Sequence, residues 1–587
     1  MPFEPGDARG LSPSPRVCAR PDSTPVLQQF DRRLRGWFAE LMGGQSPWAA
    51  MQAWEDWFFH LSVSPGEQLD LGRRWIEALC SVGATSDPSA VWAFGPQNGD
   101  RRFRSEKWRQ WPFNVAAQLQ LAAEDQWRRA VSETRGVAGH HARRVEFMGQ
   151  FLLNAMAPVN FAATNPEVID QALRTLGWNF VGGAALLAED AGRLASGGRL
   201  KGMEDWRVGE TMALTEGKIV FRNALMELIQ YTPTTKFVKR EPILIVPAWI
   251  MKFYILDLTP ESSLVRHLVD QGFTVFIISW KNPGRELADT DFEDYRQKGV
   301  MAAFDEIARA APGEKVHAVG YCLGGTTLAI AAAAMARDGD DRILSVTLLA
   351  AQTDFEEAGE LLLFIDESQL SLLEDMMLID GYLDARRMAG AFYALRANEM
   401  LFSKLVERYL LGQPSAPSAL DAWLADPTRM PARMHSEYLR RLFMENHFAH
   451  GDYEVAGKAV ALKDIRAPVF ALGAERDHIA PWRSVYKVEL YGATDTTFVL
   501  SGGGHNSSVV SPIGKRGAYY WTSVCREGSD YTDPDIWLKS AERKDGSWWP
   551  IWVDWLTAKS SKRMIRARSP AANPTLGAAP GRYVYEA

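Results

Sequence analysis

Cysteine is scarce in these 587 residues: Cys18, Cys80, Cys322 and Cys525 lie scattered, with no C-x-x-C pair. That spacing excludes a disulfide scaffold and a zinc site built on paired cysteines, and it fits a reducing cytoplasm. Long apolar runs are missing as well. No uninterrupted stretch approaches the roughly 18 residues of a spanning helix, so no transmembrane segment is expected. Met1 to Pro25 holds proline and charge but no apolar core, so no secretory leader is expected either. Nor is there an excess of positive charge: the net charge is −7, which speaks against a nucleic-acid binder. There are no internal repeats.

Apolar bulk is what the chain has in quantity. Hydrophobic residues make up 47% and charged residues 23%, while 21 Trp and 19 Met point to extensive apolar contact surface. This length predicts roughly two or three packing units. Residues 1–26, rich in proline, read as a disordered tail. Residues 27–205 read as a helical, tryptophan-rich N-terminal domain (Trp37, Phe38, Leu41, then Trp54, Trp57, Phe58).

From residue 206 the period changes. Short buried strands, 243–246 and 273–280, alternate with helices, which predicts a mostly parallel sheet with helices on both faces. This catalytic core is expected at 206–354 and again at 446–560. Between them, 355–445 is rich in Leu, Met and Phe and reads as a helical cap with no obvious strand. Residues 561–587, basic and then rich in Pro, Ala and Gly, read as a C-terminal tail.

Within the core one pentapeptide stands out. Gly320-Tyr321-Cys322-Leu323-Gly324 follows the strand 315–319 and leads into an alanine-rich helix. Strand, Gly-X-nucleophile-X-Gly, helix is the nucleophile elbow of α/β-hydrolases, here with Cys in place of Ser. A buried Cys in an ordinary βα turn also satisfies that pentapeptide taken alone, so its partners matter. A thiol nucleophile needs a base and a group to orient it, in loops after later strands. Asp477 follows the strand 467–473, and His505 lies in the glycine-rich loop after 496–500. Asp354, after the strand next to the elbow, is the rival acid, and its place where the cap departs suits a structural carboxylate. His317 falls inside the elbow strand and points to core packing. His478, beside Asp477, is expected either to support the triad from behind or to face substrate.

These motifs together resemble the active site of polyhydroxyalkanoate synthases, especially class I. They are Gly320-Tyr321-Cys322-Leu323-Gly324-Gly325, Arg476-Asp477-His478-Ile479 with Pro481-Trp482, and Gly504-His505. Asn160 to Pro166, Thr215-Glu216-Gly217, Ser279-Trp280-Lys281-Asn282-Pro283 and Gly546-Ser547-Trp548-Trp549-Pro550 extend the likeness. It runs from about residue 90 to the C terminus. The sequence departs from the family at Lys281, usually Arg, at Ala248 and Met251, usually Pro and Asn, and at Asn506-Ser507-Ser508.

The resemblance implies an α/β-hydrolase fold with a mostly parallel sheet and a helical cap, preceded by a helical domain. It implies an acyltransferase that polymerises (R)-3-hydroxyacyl-CoA into polyester through an acyl-Cys intermediate. Cys322, His505 and Asp477 would form the triad, with Asp477 either orienting His505 or activating the incoming 3-hydroxyl. The backbone amide of Leu323, and a second from Trp249 or Ile250, would hold the oxyanion. The resemblance further implies a homodimer at the surface of cytoplasmic polyester granules, among granule-associated proteins. Neither a metal nor a cofactor is expected, CoA being the leaving group. Two other readings share these residues: a Cys-dependent thioesterase or dienelactone-hydrolase-like enzyme with water as acceptor, and a non-catalytic granule scaffold.

Overall fold

The computed structural model describes residues 26–97, 100–196, 198–384, 401–414, 416–570 and 575–586. The expected N-terminal tail, Cys18 and part of the expected cap (385–400) lie outside the described residues. The chain opens on seven helices: α1 (Val26–Leu41), α2 (Pro47–Ser62), α3 (Pro65–Ala84), α4 (Phe113–Ser132), α5 (Gly139–Ala155), α6 (Pro166–Arg174) and α7 (Trp178–Ala195). Local chemistry starts several of them. The Ser46 side chain accepts from the Ala49 N–H just before Pro47, and Asn165 caps α6 in the same way ahead of Pro166. Tryptophans fill the seams between them: the rings of Trp54, Trp57 and Trp127 lie 5.2–5.6 Å apart. Gly149 on α5 admits that cluster, since a Cβ there would fall 2.0 Å from the Trp127 ring.

The core is a ten-stranded sheet. Its strands are β1 (Gly217–Arg222), β2 (Met226–Tyr231), β3 (Ile243–Val246), β4 (Val275–Trp280), β5 (Val316–Tyr321), β6 (Ile343–Leu349), β7 (Val469–Ala474), β8 (Thr496–Ser501), β9 (Tyr519–Cys525) and β10 (Arg543–Asp545). They lie in the order β1-β2-β4-β3-β5-β6-β7-β8-β9-β10. From β4 to β8 all neighbours are parallel, and the pairs at both ends are antiparallel. This is the α/β-hydrolase fold. The parallel strands are covered on both faces, which is why Ile243-Leu244-Ile245-Val246 is apolar throughout instead of alternating. Helix α8 (Leu323–Arg337) follows β5, and its buried alanines, Ala329 and Ala331 to Ala334, let it lie close to the sheet.

Between β6 and β7 the chain leaves the sheet, forming α9 (Glu367–Asp380) and α10 (Ala432–Tyr438) among shorter turns. The expectation that this stretch holds no strand needs correcting: Tyr382–Leu383 pairs antiparallel with Met430–Pro431. A two-residue ladder is too short to print a period on the sequence.

The N-terminal helices grip this insertion. Arg32 on α1 meets Asp375 on α9 at 2.6 Å, and Gly36 lets the helices touch, since a Cβ there would meet the Asp375 carbonyl at 2.6 Å. Arg144 on α5 donates to the Leu363 carbonyl at 2.7 Å, and Arg408 pairs with Asp190 on α7 at 2.5 Å.

The residues read as a C-terminal tail are partly built into the fold. After α11 (Trp549–Lys559), the stretch 575–586 runs beside β1, with Ile219 donating to Gly577 and Ala579 to Gly217. Buried Glu227 accepts the backbone N–H groups of Arg582 and Tyr583 at 3.0 and 3.1 Å. Composition rich in Pro, Ala and Gly gives no sign of such a buried acceptor waiting 355 residues upstream.

Candidate active site

Cys322 stands between β5 and α8 with φ 53° and ψ −128°. A non-glycine residue held there costs on the order of 1–3 kcal/mol, and the surroundings must enforce it. They do so through glycine. A Cβ on Gly320 would lie 2.3 Å from Gly325 Cα, one on Gly324 2.1 Å from the Val246 carbonyl, and one on Gly325 2.4 Å from Ala351 Cβ. Because the Val246 and Pro247 carbonyls are backbone at the end of β3, Gly324→Ala is expected to destabilise the protein by at least about 2 kcal/mol. The urea midpoint reads this directly, and an unchanged midpoint would mean that the elbow yields.

Asp477 leaves the end of β7 and His505 the end of β8. His505 Nδ1 meets Asp477 Oδ2 at 2.7 Å, with the two side chains 8% and 0% exposed. Asp477 Oδ1 accepts the N–H groups of Ile479 and Ala480, each at 2.9 Å, so both carboxylate oxygens are engaged. Burial pulls the His505 imidazole down, but the charges of Asp477 and Cys322 and its hydrogen bonds to both outweigh it. The ring is held well above its ordinary pKa. Cys322 and Asp477 therefore flank one imidazole. The Tyr321 ring lies 5.7 Å from the His505 ring, and its hydroxyl donates to Asn506 Oδ1 at 2.5 Å. Asn506, one of the departures noted in the sequence, thus has a definite partner beside the base.

The rival residues are engaged elsewhere. Asp354 is buried and accepts from the Glu356 N–H at 2.9 Å and from Lys487 Nζ at 3.3 Å. His317 bonds Ser345 and Ser560 at 2.7 and 3.0 Å within the core. His478 is exposed and does not line the cavity described next.

A cavity of about 110 Å³ opens on Cys322. Leu323 and Ile250 border it from the core, and Leu361, Phe364, His435 and Tyr438 from the insertion. Leu323 contributes the first N–H of α8, which has no partner inside its helix. In the loop after β3, Thr428 ties back the carbonyls of Trp249 and Ile250, the latter at 3.2 Å. Ile250 reaches the cavity, whereas the Trp249 ring packs among Phe292, Tyr295 and Tyr438. Burial and the nearby Cys322 charge push the Tyr438 phenol well above its ordinary pKa.

Gly43, Gly44 and Gln45, between α1 and α2, also line the cavity. Gln369 on α9 stitches that loop down, donating to the Gly44 carbonyl at 2.6 Å and accepting the Ser46 N–H at 2.7 Å. Gln369→Ala leaves both backbone groups unpaired, at a cost of about 1–3 kcal/mol. Hydrogen exchange at the Ser46 amide is expected to rise at least about tenfold, and unchanged protection would show that another contact holds the loop.

Sequence reasoning missed His435, Tyr438, Gln369 and the Gly43–Gln45 loop. The available signal was polar groups falling among buried apolar neighbours such as Met434 and Leu442. Among the described residues, no group of three or more His, Cys, Asp or Glu is arranged to hold a metal, and no helix is long and apolar enough to cross a membrane.

Comparison with known proteins bears on the fold and the family. Residues 99–268 match the family described as "Poly-beta-hydroxybutyrate polymerase (PhaC) N-terminus", 25–67 match "Poly-beta-hydroxybutyrate polymerase N terminal", and 241–512 match "alpha/beta hydrolase fold". A poly(3-hydroxyalkanoate) polymerase of Methylorubrum extorquens is 38% identical over 99% of this chain and 93% of its own. The poly(3-hydroxyalkanoate) polymerase subunit PhaC of Rhizobium meliloti (strain 1021) is 37% identical over 88% and 84%. That of Cupriavidus necator is 34% identical over 89% of each chain.

Proposed function

Because this chain belongs to the poly(3-hydroxyalkanoate) polymerase family, whose members are acyltransferases, we propose that it joins (R)-3-hydroxyacyl groups from CoA thioesters into polyester. The observation that carries the reading is one imidazole, His505, held between Asp477 and Cys322, with Cys322 lining a largely apolar cavity.

His505 takes the Sγ proton of Cys322, and the basicity its ring gains beside Asp477 favours the thiolate–imidazolium pair. The thiolate attacks the thioester carbonyl, and the amides of Leu323 and Ile250 receive the oxyanion. The bond to the CoA sulfur breaks, CoA leaves with the proton from His505, and the acyl group stays on Cys322. A hydroxyl of the growing chain then attacks that acyl group. It gives its proton to His505, and Cys322 leaves as thiolate. The first step exchanges one thioester for another with little loss of free energy, so the second is driven by conversion of thioester to oxoester.

Asp477, with no exposed side-chain surface and both oxygens bonded, orients His505 in this scheme and does not touch the acceptor. Exposed Trp37, Phe59 and Leu69 on α1–α3 support contact of these helices with a polyester granule in the cytoplasm. Dimerisation belongs to the same proposal.

The test is purified protein with (R)-3-hydroxybutyryl-CoA, following CoA release and turbidity together. Both are expected to rise. Release of CoA with only soluble hydroxy acid as product would turn the reading to a thioesterase.

A further inference from the structure

The acyl group has two polar centres, the thioester carbonyl and the 3-hydroxyl. In the proposed reaction the carbonyl is taken by backbone amides, which leaves the hydroxyl inside a mostly apolar cavity. Most polar side chains on that wall are already engaged. Thr326 donates to the Gln352 carbonyl at 2.8 Å, Gln352 Nε2 to Ser484 at 3.0 Å, and Gln369 is spent on Gly44 and Ser46.

His435 is different. It is 1% exposed, lines the cavity with Cys322, and its Nδ1 has no hydrogen-bond partner among the described residues. Its ring lies 6.2 Å from that of Tyr438, the neighbour whose phenol feels the Cys322 charge. Burial pushes its pKa down to about 4, so the ring is neutral at physiological pH. A neutral imidazole offers one donor and one acceptor, and the reaction scheme gives neither a role.

We infer that His435 is a positioning residue that hydrogen-bonds the 3-hydroxyl of the acyl group loaded on Cys322, so that the site distinguishes 3-hydroxyacyl from plain acyl thioesters. The inference rests on the polymerase reading above. Held this way, the hydroxyl is kept from attacking its own thioester and is presented in one orientation for the next transfer.

The experiment compares wild type, His435→Leu and His435→Gln in single-turnover acylation, followed by CoA release and by the intact mass of the Cys322 adduct. The two substrates are (R)-3-hydroxybutyryl-CoA and butyryl-CoA, which differ only in the hydroxyl. With His435→Leu, acylation by the hydroxyacyl thioester is expected to fall at least about tenfold, while butyryl transfer stays within about twofold. His435→Gln, which keeps a donor and an acceptor, is expected to recover part of the loss. An equal fall with both substrates would make His435 a packing residue, and an unchanged hydroxyacyl rate would leave it no part in binding. Either result overturns the inference. If wild type accepts neither thioester, the polymerase reading falls first.

Discussion

Cys322→Ala is expected to release no CoA above background, a loss on the order of 10⁴-fold or more, while keeping the wild-type urea midpoint. Cys322 alone among the described cysteines combines an elbow backbone with a basic partner, His505. Cys80 is exposed on α3. At Cys525, burial and the nearby Glu489 and Asp495 push the thiol up, away from the reactive thiolate. Alanine at Cys80 or Cys525 is therefore expected to leave CoA release near normal. Iodoacetamide should modify Cys322 fastest and stop turnover, with the substrate thioester protecting it. If Cys525→Ala were the inactive protein, the assignment of the nucleophile would be wrong.

His505→Ala is expected to block acylation itself, and Asp477→Asn to slow turnover by about 10³–10⁴-fold. The reason lies in the hydrogen bonds around residue 477. The Ile479 and Ala480 N–H groups require an acceptor at Oδ1, so an asparagine there must keep its oxygen toward them. Its NH₂ then faces His505 Nδ1, which has to accept. The ring proton moves to Nε2, and the imidazole can no longer take a proton from Cys322. Intact-mass spectra after brief exposure to substrate are expected to show little acyl adduct in either variant. A fully acylated Asp477→Asn protein that stalls there would mean that Asp477 serves the acceptor hydroxyl instead. An inactive Asp354→Asn protein beside a fully active Asp477→Asn would move the acid to Asp354.

The parts of this site legible in the sequence are those set by short-range chemistry. Strand, Gly-X-Cys-X-Gly and helix are contiguous, and the packing at Gly320, Gly324 and Gly325 explains why no larger residue stands there. Asp477 and His505 could be found because parallel strands end at a common edge, so loops far apart in the chain converge. The cavity wall had no such guide. Its pieces come from the Gly43–Gln45 turn, the loop after β3 and two separated parts of the insertion. Only tertiary packing brings these together, and no period links them. The docked stretch 575–586 escaped for a related reason: its anchors, Glu227 and Lys252, whose Nζ donates to the Val584 carbonyl at 3.0 Å, are single buried residues with ordinary neighbours in sequence.

The clasp between α1 and α9 bears on how the molecule is made. Arg32 and Asp375 stand 343 positions apart. At ribosomal speeds of about 5–20 residues per second, the N-terminal helices wait on the order of tens of seconds for the surface they will cover. During that interval the apolar side of a tryptophan-rich bundle has no partner of its own chain. The nascent polypeptide is then a strong substrate for holding chaperones, and slowing translation between codons 84 and 375 should lower soluble yield more than slowing it later.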